Sequence, residues 1–326
     1  MTSAADTRPA PHHSGPEGEA VVYAYLGPEG TFTEAALLSI PGAQDAVRIP
    51  APSVNSALEM VRSGQATAAV VPIENSVEGG VSATLDALSA GTPLRILREV
   101  LVPITFVLAA RPGTGLADIR TVSTHSHAWA QCREWAAANI PDAEYLPASS
   151  TAAAAVELGG PEPGFEAAIC SPLVARRRGL EVLGEDIGDV RDAVTRFVMI
   201  SLPGLLPEPT GADKTTLVVP LPEDHPGALM EILEHFSTRG VNLSRIESRP
   251  TGVFLGDYFF SIDADGHVAD ARMADALKGL HRISPELRFL GSYPRADQRE
   301  TEISRHTSDE AFRAADIWLE SVLNGY

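Results

Sequence analysis

From Val21 to Leu202 the chain repeats one theme: a short apolar run, a polar loop, then a segment of helical character. The runs VVYAYL (21–26), ATAAVVPI (66–73), VLVPITFVLAA (100–110), IRTVSTHS (119–126), EAAIC (166–170) and VTRFVMISL (194–202) read as buried strands. TFTEAALLSI, the segment 81–88, HAWAQCREWAAAN, STAAAAVEL and SPLVARRRGL read as the helices between them. Such alternation predicts an α/β fold, a largely parallel sheet with helices on its faces. HAWAQCREWAAAN is expected as one helix with Trp129, Cys132 and Ala136 on its buried face. Ser149 or Ser150 is a candidate N-cap, and Arg176, Arg177 and Arg178 read as a solvated helix end.

The Pro/Gly-rich stretch GLLPEPTGAD (204–213) reads as a linker, and the pattern changes after it. TTLVVPL (215–221) is a strand, and HPGALMEILEHFSTRG is a helix that Gly240 ends. Its Leu229, Ile232, Leu233 and Phe236 recur at helical spacing. VNLSRIESRP, GDYFFSIDADG, VADARMADALKGLHRI and LRFLGSYP (287–294) complete the order β-α-β-β-α-β, the ferredoxin-like split pattern. Residues 1–20, rich in Pro, Ala, Gly and Ser, read as a disordered tail. Residues 296–326 form a polar tail in which AFRAADIWLESVL is one amphipathic helix expected to dock on a neighbour.

A length of 326 residues fits about two domains. The formal charge of −18 argues against a nucleic-acid partner, which needs a basic surface. It also means that an anionic substrate must be captured by a local positive pocket. Two cysteines, Cys132 and Cys170, are too few for a disulfide framework, so a reducing cytoplasm fits. The N-terminal segment lacks the apolar core of a signal peptide, and no apolar run is long enough to span a membrane.

Three loops follow buried strands and open helices: GPEGTFTE (27–34), PIENSVEGG (72–80) and STHSHAWAQ (123–131). Ligands of open α/β folds bind where loops leave the carboxyl ends of strands, and helix N-termini favour anions. The loops supply Thr31, Thr33, Asn75, Ser76, Thr124, Ser126 and Gln131, each of a type that caps helices just as readily. In VTRFVMI, alternation places Thr195, Phe197 and Met199 on one strand face and Val194, Arg196 and Val198 on the other. GPEGTFTE has neither the Gly-Lys-Ser/Thr of a P-loop nor the G-x-G-x-x-G of a dinucleotide site. His125 and His127 stand two apart without further ligands at metal spacing, and no G-x-S-x-G elbow is present. By residue chemistry alone, the chain is a cofactor-free, anion-binding α/β protein with a small second domain.

YLGPEGTFTEAAL, VPIENSVEGG and VTRFVMI, in that order, resemble the prephenate dehydratase family. GALMEILEHFSTRGVNLSRIESRP resembles the ACT regulatory domain that follows in that family, and the resemblance covers about 21–295. It implies a bilobed catalytic domain like that of periplasmic binding proteins over 21–203. Its lobes would be 21–101 with 193–203, and 102–192, followed by an ACT domain over 214–295. It implies decarboxylative dehydration of prephenate to phenylpyruvate in phenylalanine biosynthesis, with no cofactor or metal. The family's essential threonine falls on Thr195, and its asparagine and glutamine fall on Asn75 and Gln131. Thr124 stands where many members have the serine of Ser-His-Pro, and Ala193 stands where many have asparagine.

The expected catalytic set is therefore Thr195, Asn75, Thr124 and Gln131. Glu74, Ser76, Thr31, Arg196 and Phe197 form the expected substrate-contacting set. Within it, Arg196 is expected to fix the cleft or pair with Glu74 or another acid, in preference to binding a carboxylate. Phenylalanine is the implied feedback effector. Its expected contacts are backbone donors over 224–229, including Gly227, Ala228 and Leu229, together with Asn242, Glu247, Ser248, Arg249 and Pro250. Pairing of ACT domains implies a homodimer or homotetramer. The alternatives are an arogenate dehydratase, whose substrate differs by one amino group, and a non-catalytic amino-acid-sensing protein.

Overall fold

The computed structural model describes residues 21–221, 225–251 and 257–325, so the expected disordered tail over 1–20 lies outside it. Sheet one begins with β1 (Val22–Leu26), β2 (Val47–Ala51), β3 (Ala68–Asn75), the short β4 (Gly79–Gly80) and β5 (Arg95–Pro103). The chain then builds sheet two from β6 (Val107–Ala110), β7 (Thr121–Thr124), β8 (Glu144–Pro147), β9 (Ala167–Cys170) and β10 (Glu181–Gly184). It returns to sheet one as β11 (Val194–Ser201). The strand orders are β2-β1-β3-β11-β5 and β10-β6-β9-β7-β8. Both crossings lie at one end of sheet one, because Val194 pairs with Pro103 and Thr195 with Asn75.

The expected largely parallel sheet is found only in part. β1 runs parallel to β2 and β3, but β11 enters from the end where β3 and β5 leave and is antiparallel to both. The single strand expected over 100–110 is two strands in two sheets, divided after Pro103. An unbroken apolar run cannot reveal that its burial passes from one core to another.

Helices α1 (Phe32–Leu38), α2 (Val54–Arg62) and α3 (Ser82–Ser89) follow strands of sheet one. Helices α4 (Ser126–Ala130), α5 (Arg133–Asn139), α6 (Thr151–Leu158) and α7 (Pro172–Arg177) accompany sheet two. HAWAQCREWAAAN is therefore not one helix but two. The Asp189 carboxylate accepts the backbone N–H groups of Glu134 and Trp135, capping α5 afresh and breaking the run at Gln131–Cys132. Cys132 and Ala136 are buried even so. Ser150 caps α6, accepting from the backbone of Ala153.

Sheet three comprises β12 (Asp213–Pro220), β13 (Leu243–Pro250), β14 (Tyr258–Asp265) and β15 (Arg288–Pro294), antiparallel in the order β13-β14-β12-β15. Helices α8 (Ala228–Ser237) and α9 (Ala271–Ile283) cover one face, where Ile232, Phe236, Met273 and Leu280 meet Leu217, Phe260 and Ile262. The other face packs on sheet one: Val218, Phe259, Leu290 and Tyr293 share a core with Val198, Ile200 and Leu58. Gly291 permits this approach at φ +143°, since a Cβ there would collide with the backbone oxygen of Ile96. The expected amphipathic helix forms as α10 (Asp309–Leu323), leaving Ile317, Trp318, Val322 and Leu323 exposed.

Candidate active site

β3 and β11 end side by side at the crossing, and their paired residues Asn75 and Thr195 point to the same face. Asn75 Nδ2 donates to Thr195 Oγ1 at 2.8 Å. Asn75 Oδ1 in turn accepts the backbone N–H groups of Val77, at 2.8 Å, and Glu78, at 3.2 Å, which fixes the amide's orientation. Because Thr195 Oγ1 accepts from an amide, its own O–H remains available to donate, and the received bond polarises it. Ser76 ties the same loop to β11, its Oγ accepting from Val194 N at 3.0 Å.

The opposing wall comes from sheet two. Gln131, at the break between α4 and α5, donates from Nε2 to Glu78 Oε1 at 3.3 Å. His127 Nδ1 meets Glu78 Oε2 at 2.5 Å. His125 stacks edge-on against His127, with ring centroids 4.9 Å apart. Burial lowers the His125 pKa, His127 lowers it further, and Glu78 acts in the other direction. Glu78 and His127 were not among the expected residues. The signal was present in ENSVEGG and STHSHAW, but nothing in sequence joins two loops on different sheets.

Several expected contacts lie elsewhere. Thr124 is fully buried and its hydroxyl donates to Ile169 O at 2.7 Å, holding β7 to β9 instead of facing the cleft. Thr31 is the N-cap of α1, accepting from Glu34 N and donating to Leu26 O. Phe197 is packed in a core with Leu37, Ile40 and Met199. Arg176, Arg177 and Arg178 are exposed at the end of α7, as expected, and Arg177 also pairs with buried Glu34 at 2.6 Å, joining α7 to α1.

Arg196 and Glu74 occupy the strand face opposite Thr195 and Asn75, as alternation requires. Arg196 is 5% exposed, and its guanidinium reaches Glu99 at 2.6 Å, Asp263 at 2.5 Å, Tyr293 Oη at 2.7 Å and Glu74 at 3.3 Å. Lys214 also reaches Glu99, and Arg245 reaches Asp263. Burial pulls the Arg196 pKa down, but Asp263, Tyr293 and Glu99 outweigh it and hold it well above the ordinary value. The guanidinium is thus committed between sheets one and three and is withdrawn from any substrate.

Among the described residues no three His, Cys, Asp or Glu side chains converge as metal ligands. Burial, aided for Cys132 by Asp189, pushes the Cys132 and Cys170 thiols up to about 12, which leaves both unreactive.

The family model described as prephenate dehydratase matches residues 23–204, the span that builds sheets one and two. The chain belongs to the prephenate dehydratase family. The prephenate dehydratase of Amycolatopsis methanolica is 45% identical over 303 residues, 93% of this chain and 98% of that relative. A solved prephenate dehydratase from Arthrobacter aurescens, in complex with L-Phe, is 66% identical with a TM-score of 0.90, over 94% of this chain and all of that one (100%). A structure described as a novel type of quorum-quenching acylase is 30% identical with a TM-score of 0.75, over 85% of this chain and 100% of that one.

In this prephenate dehydratase family member, a cavity of about 310 Å³ opens in the sheet-three unit. It is lined by Gly227, Ala228, Leu229 and Ser248 of the expected effector set, with His225, Leu221, Met230, Tyr258 and Phe260. Four expected contacts stand apart from it. Asn242 donates to Asp265 at 2.7 Å, Arg249 pairs with Asp86 of α3 at 2.9 Å, and Glu247 lies against Gly80. Pro250 pairs with Tyr258 at the strand end and is exposed. Asp224, where the expected backbone donors began, is outside the described residues.

Proposed function

We propose that this chain is a prephenate dehydratase, converting prephenate and a proton into phenylpyruvate, carbon dioxide and water. The ring carboxylate leaves as carbon dioxide, its bonding electrons aromatise the ring, and the ring hydroxyl departs. Aromatisation makes the sequence downhill, so the protein's task is to bind a dianion and help hydroxide leave as water. The observation that carries this is the Asn75–Thr195 hydrogen bond, which fixes the Thr195 oxygen and leaves its O–H to donate to the departing hydroxyl. A threonine hydroxyl is a weak acid, so it stabilises the leaving oxygen while solvent supplies the proton. Acyl transfer would need a base on that hydroxyl. Its partner is an amide, which cannot accept the proton.

The catalytic unit is two lobes, built on sheets one and two in the manner of periplasmic binding proteins, with the substrate between them. Sheet three with α8 and α9 is an ACT domain, and its 310 Å³ cavity is the phenylalanine site for feedback inhibition. The Arg196 cluster links that domain to the strand bearing Thr195, which gives effector binding a physical route to the catalytic hydroxyl. The exposed apolar residues of α10 support a homo-oligomer. The enzyme works in the cytoplasm.

Purified protein is incubated with prephenate, with and without phenylalanine, and phenylpyruvate is followed by absorbance. Failure to form phenylpyruvate would overturn the assignment, and a rate indifferent to phenylalanine would overturn the effector role.

A further inference from the structure

We propose that His127 and Gln131 form a carboxylate subsite of the cleft, and that Glu78 occupies it in the free protein as an internal stand-in for the substrate's carboxylate. The inference rests on the dehydratase reading and names how the dianion is held.

Each Glu78 oxygen takes a separate donor, Oε2 from His127 Nδ1 at 2.5 Å and Oε1 from Gln131 Nε2 at 3.3 Å. Two donors spanning one carboxylate, both on α4 or at its end, are the arrangement an external carboxylate needs. Glu78 itself belongs to the other wall, on the loop between β3 and β4. Its side chain is 37% exposed, so it can swing away without unpacking a core.

Charge favours such a subsite. A chain of net charge −18 repels a dianion at long range, and two of its arginines are already committed, Arg196 in the buried cluster and Arg177 on Glu34. His127 and Gln131 both hold their donors against Glu78, a half-exposed acid that a ligand carboxylate can replace. A substrate carboxylate displacing Glu78 remakes both hydrogen bonds, so the donors need little rearrangement on binding. The backbone of Glu78 stays, because its N–H is held by Asn75 Oδ1 at 3.2 Å. The tethered carboxylate therefore competes with substrate at high effective concentration and sets KM.

Steady-state kinetics and calorimetric binding of phenylpyruvate to the full chain test this. Glu78→Gln lowers KM for prephenate about fivefold, and tightens phenylpyruvate similarly, by removing a charged competitor. His127→Ala raises both constants about tenfold, the loss of one charge-assisted hydrogen bond. Glu78→Gln has little further effect in the His127→Ala background. An unchanged or raised KM in Glu78→Gln, or an unchanged KM in His127→Ala, overturns the subsite. If wild-type protein leaves prephenate untouched, the dehydratase reading fails. The subsite is judged separately from phenylpyruvate binding, and equal affinity in wild type and Glu78→Gln, or no binding at all, overturns it.

Discussion

Arg196 donates to Asp263 at 2.5 Å, joining the strand that carries Thr195 to the middle of sheet three. The bond is buried at both ends and shared with Glu99, Tyr293 and Arg245. Removing one partner of such a group leaves an uncompensated charge.

Asp263→Asn should therefore lower stability by about 3–5 kcal/mol, the scale for breaking a buried ion pair from one side. Urea unfolding measures it, and a loss below about 1 kcal/mol would show that the cluster adds little beyond packing. If the same bond couples the sheets, inhibition by phenylalanine weakens in this variant more than turnover does.

The cluster also sets an acid limit. Burial alone would raise the Asp263 carboxyl, but Arg196 and Arg245 hold it well below the usual carboxylate range. An unfolded aspartate takes up its proton near pH 3.9, so below that value the unfolded chain binds a proton that the folded chain refuses. The stability that ionised Asp263 contributes is complete above about pH 5 and is lost progressively as pH falls toward its folded value. Unfolding midpoints between about pH 6 and 3.5 should fall more steeply in wild type than in Asp263→Asn. Parallel curves would exclude this carboxyl as the cause.

Thr195→Val keeps the branched shape and removes the donor. Turnover with prephenate should fall by about 10²–10³-fold, as for loss of one transition-state donor, with the unfolding midpoint nearly unchanged. Thr195→Ser should recover part of the rate. A valine variant within threefold of wild type would end the donor role.

Gly227 holds φ +100° at the start of α8, on the rim of the 310 Å³ cavity. Gly227→Val puts a β-branched side chain where L residues are strained by about 1–3 kcal/mol, so the rim must move. Phenylalanine needed for half-inhibition should rise at least about tenfold, with a smaller change in uninhibited turnover. Inhibition at the wild-type concentration would place the effector elsewhere.

Local chemistry in the chain determined much of this protein. Strand alternation alone separated Thr195 from Arg196, and the structure places them on opposite faces, one beside Asn75 and one beside Asp263. Of the apolar stripe expected on α8, Ile232 and Phe236 are buried while Leu229 is exposed on the cavity rim, and the ESRP and GAL motifs pointed to a cavity that Gly227, Ala228, Leu229 and Ser248 do line. Only the tertiary structure decided where hydroxyls and charges were spent. Thr124 looks like a site residue in its loop, yet β9 passes close enough for the Ile169 carbonyl to accept its hydrogen bond. One apolar run became strands in two sheets, and one helical run broke because Asp189, far along the chain, capped its second half. Periodicity reports which side of an element avoids water. It carries no information about which distant group will be there, and the pairing of Glu78 with His127 and Gln131 depends on that placement alone.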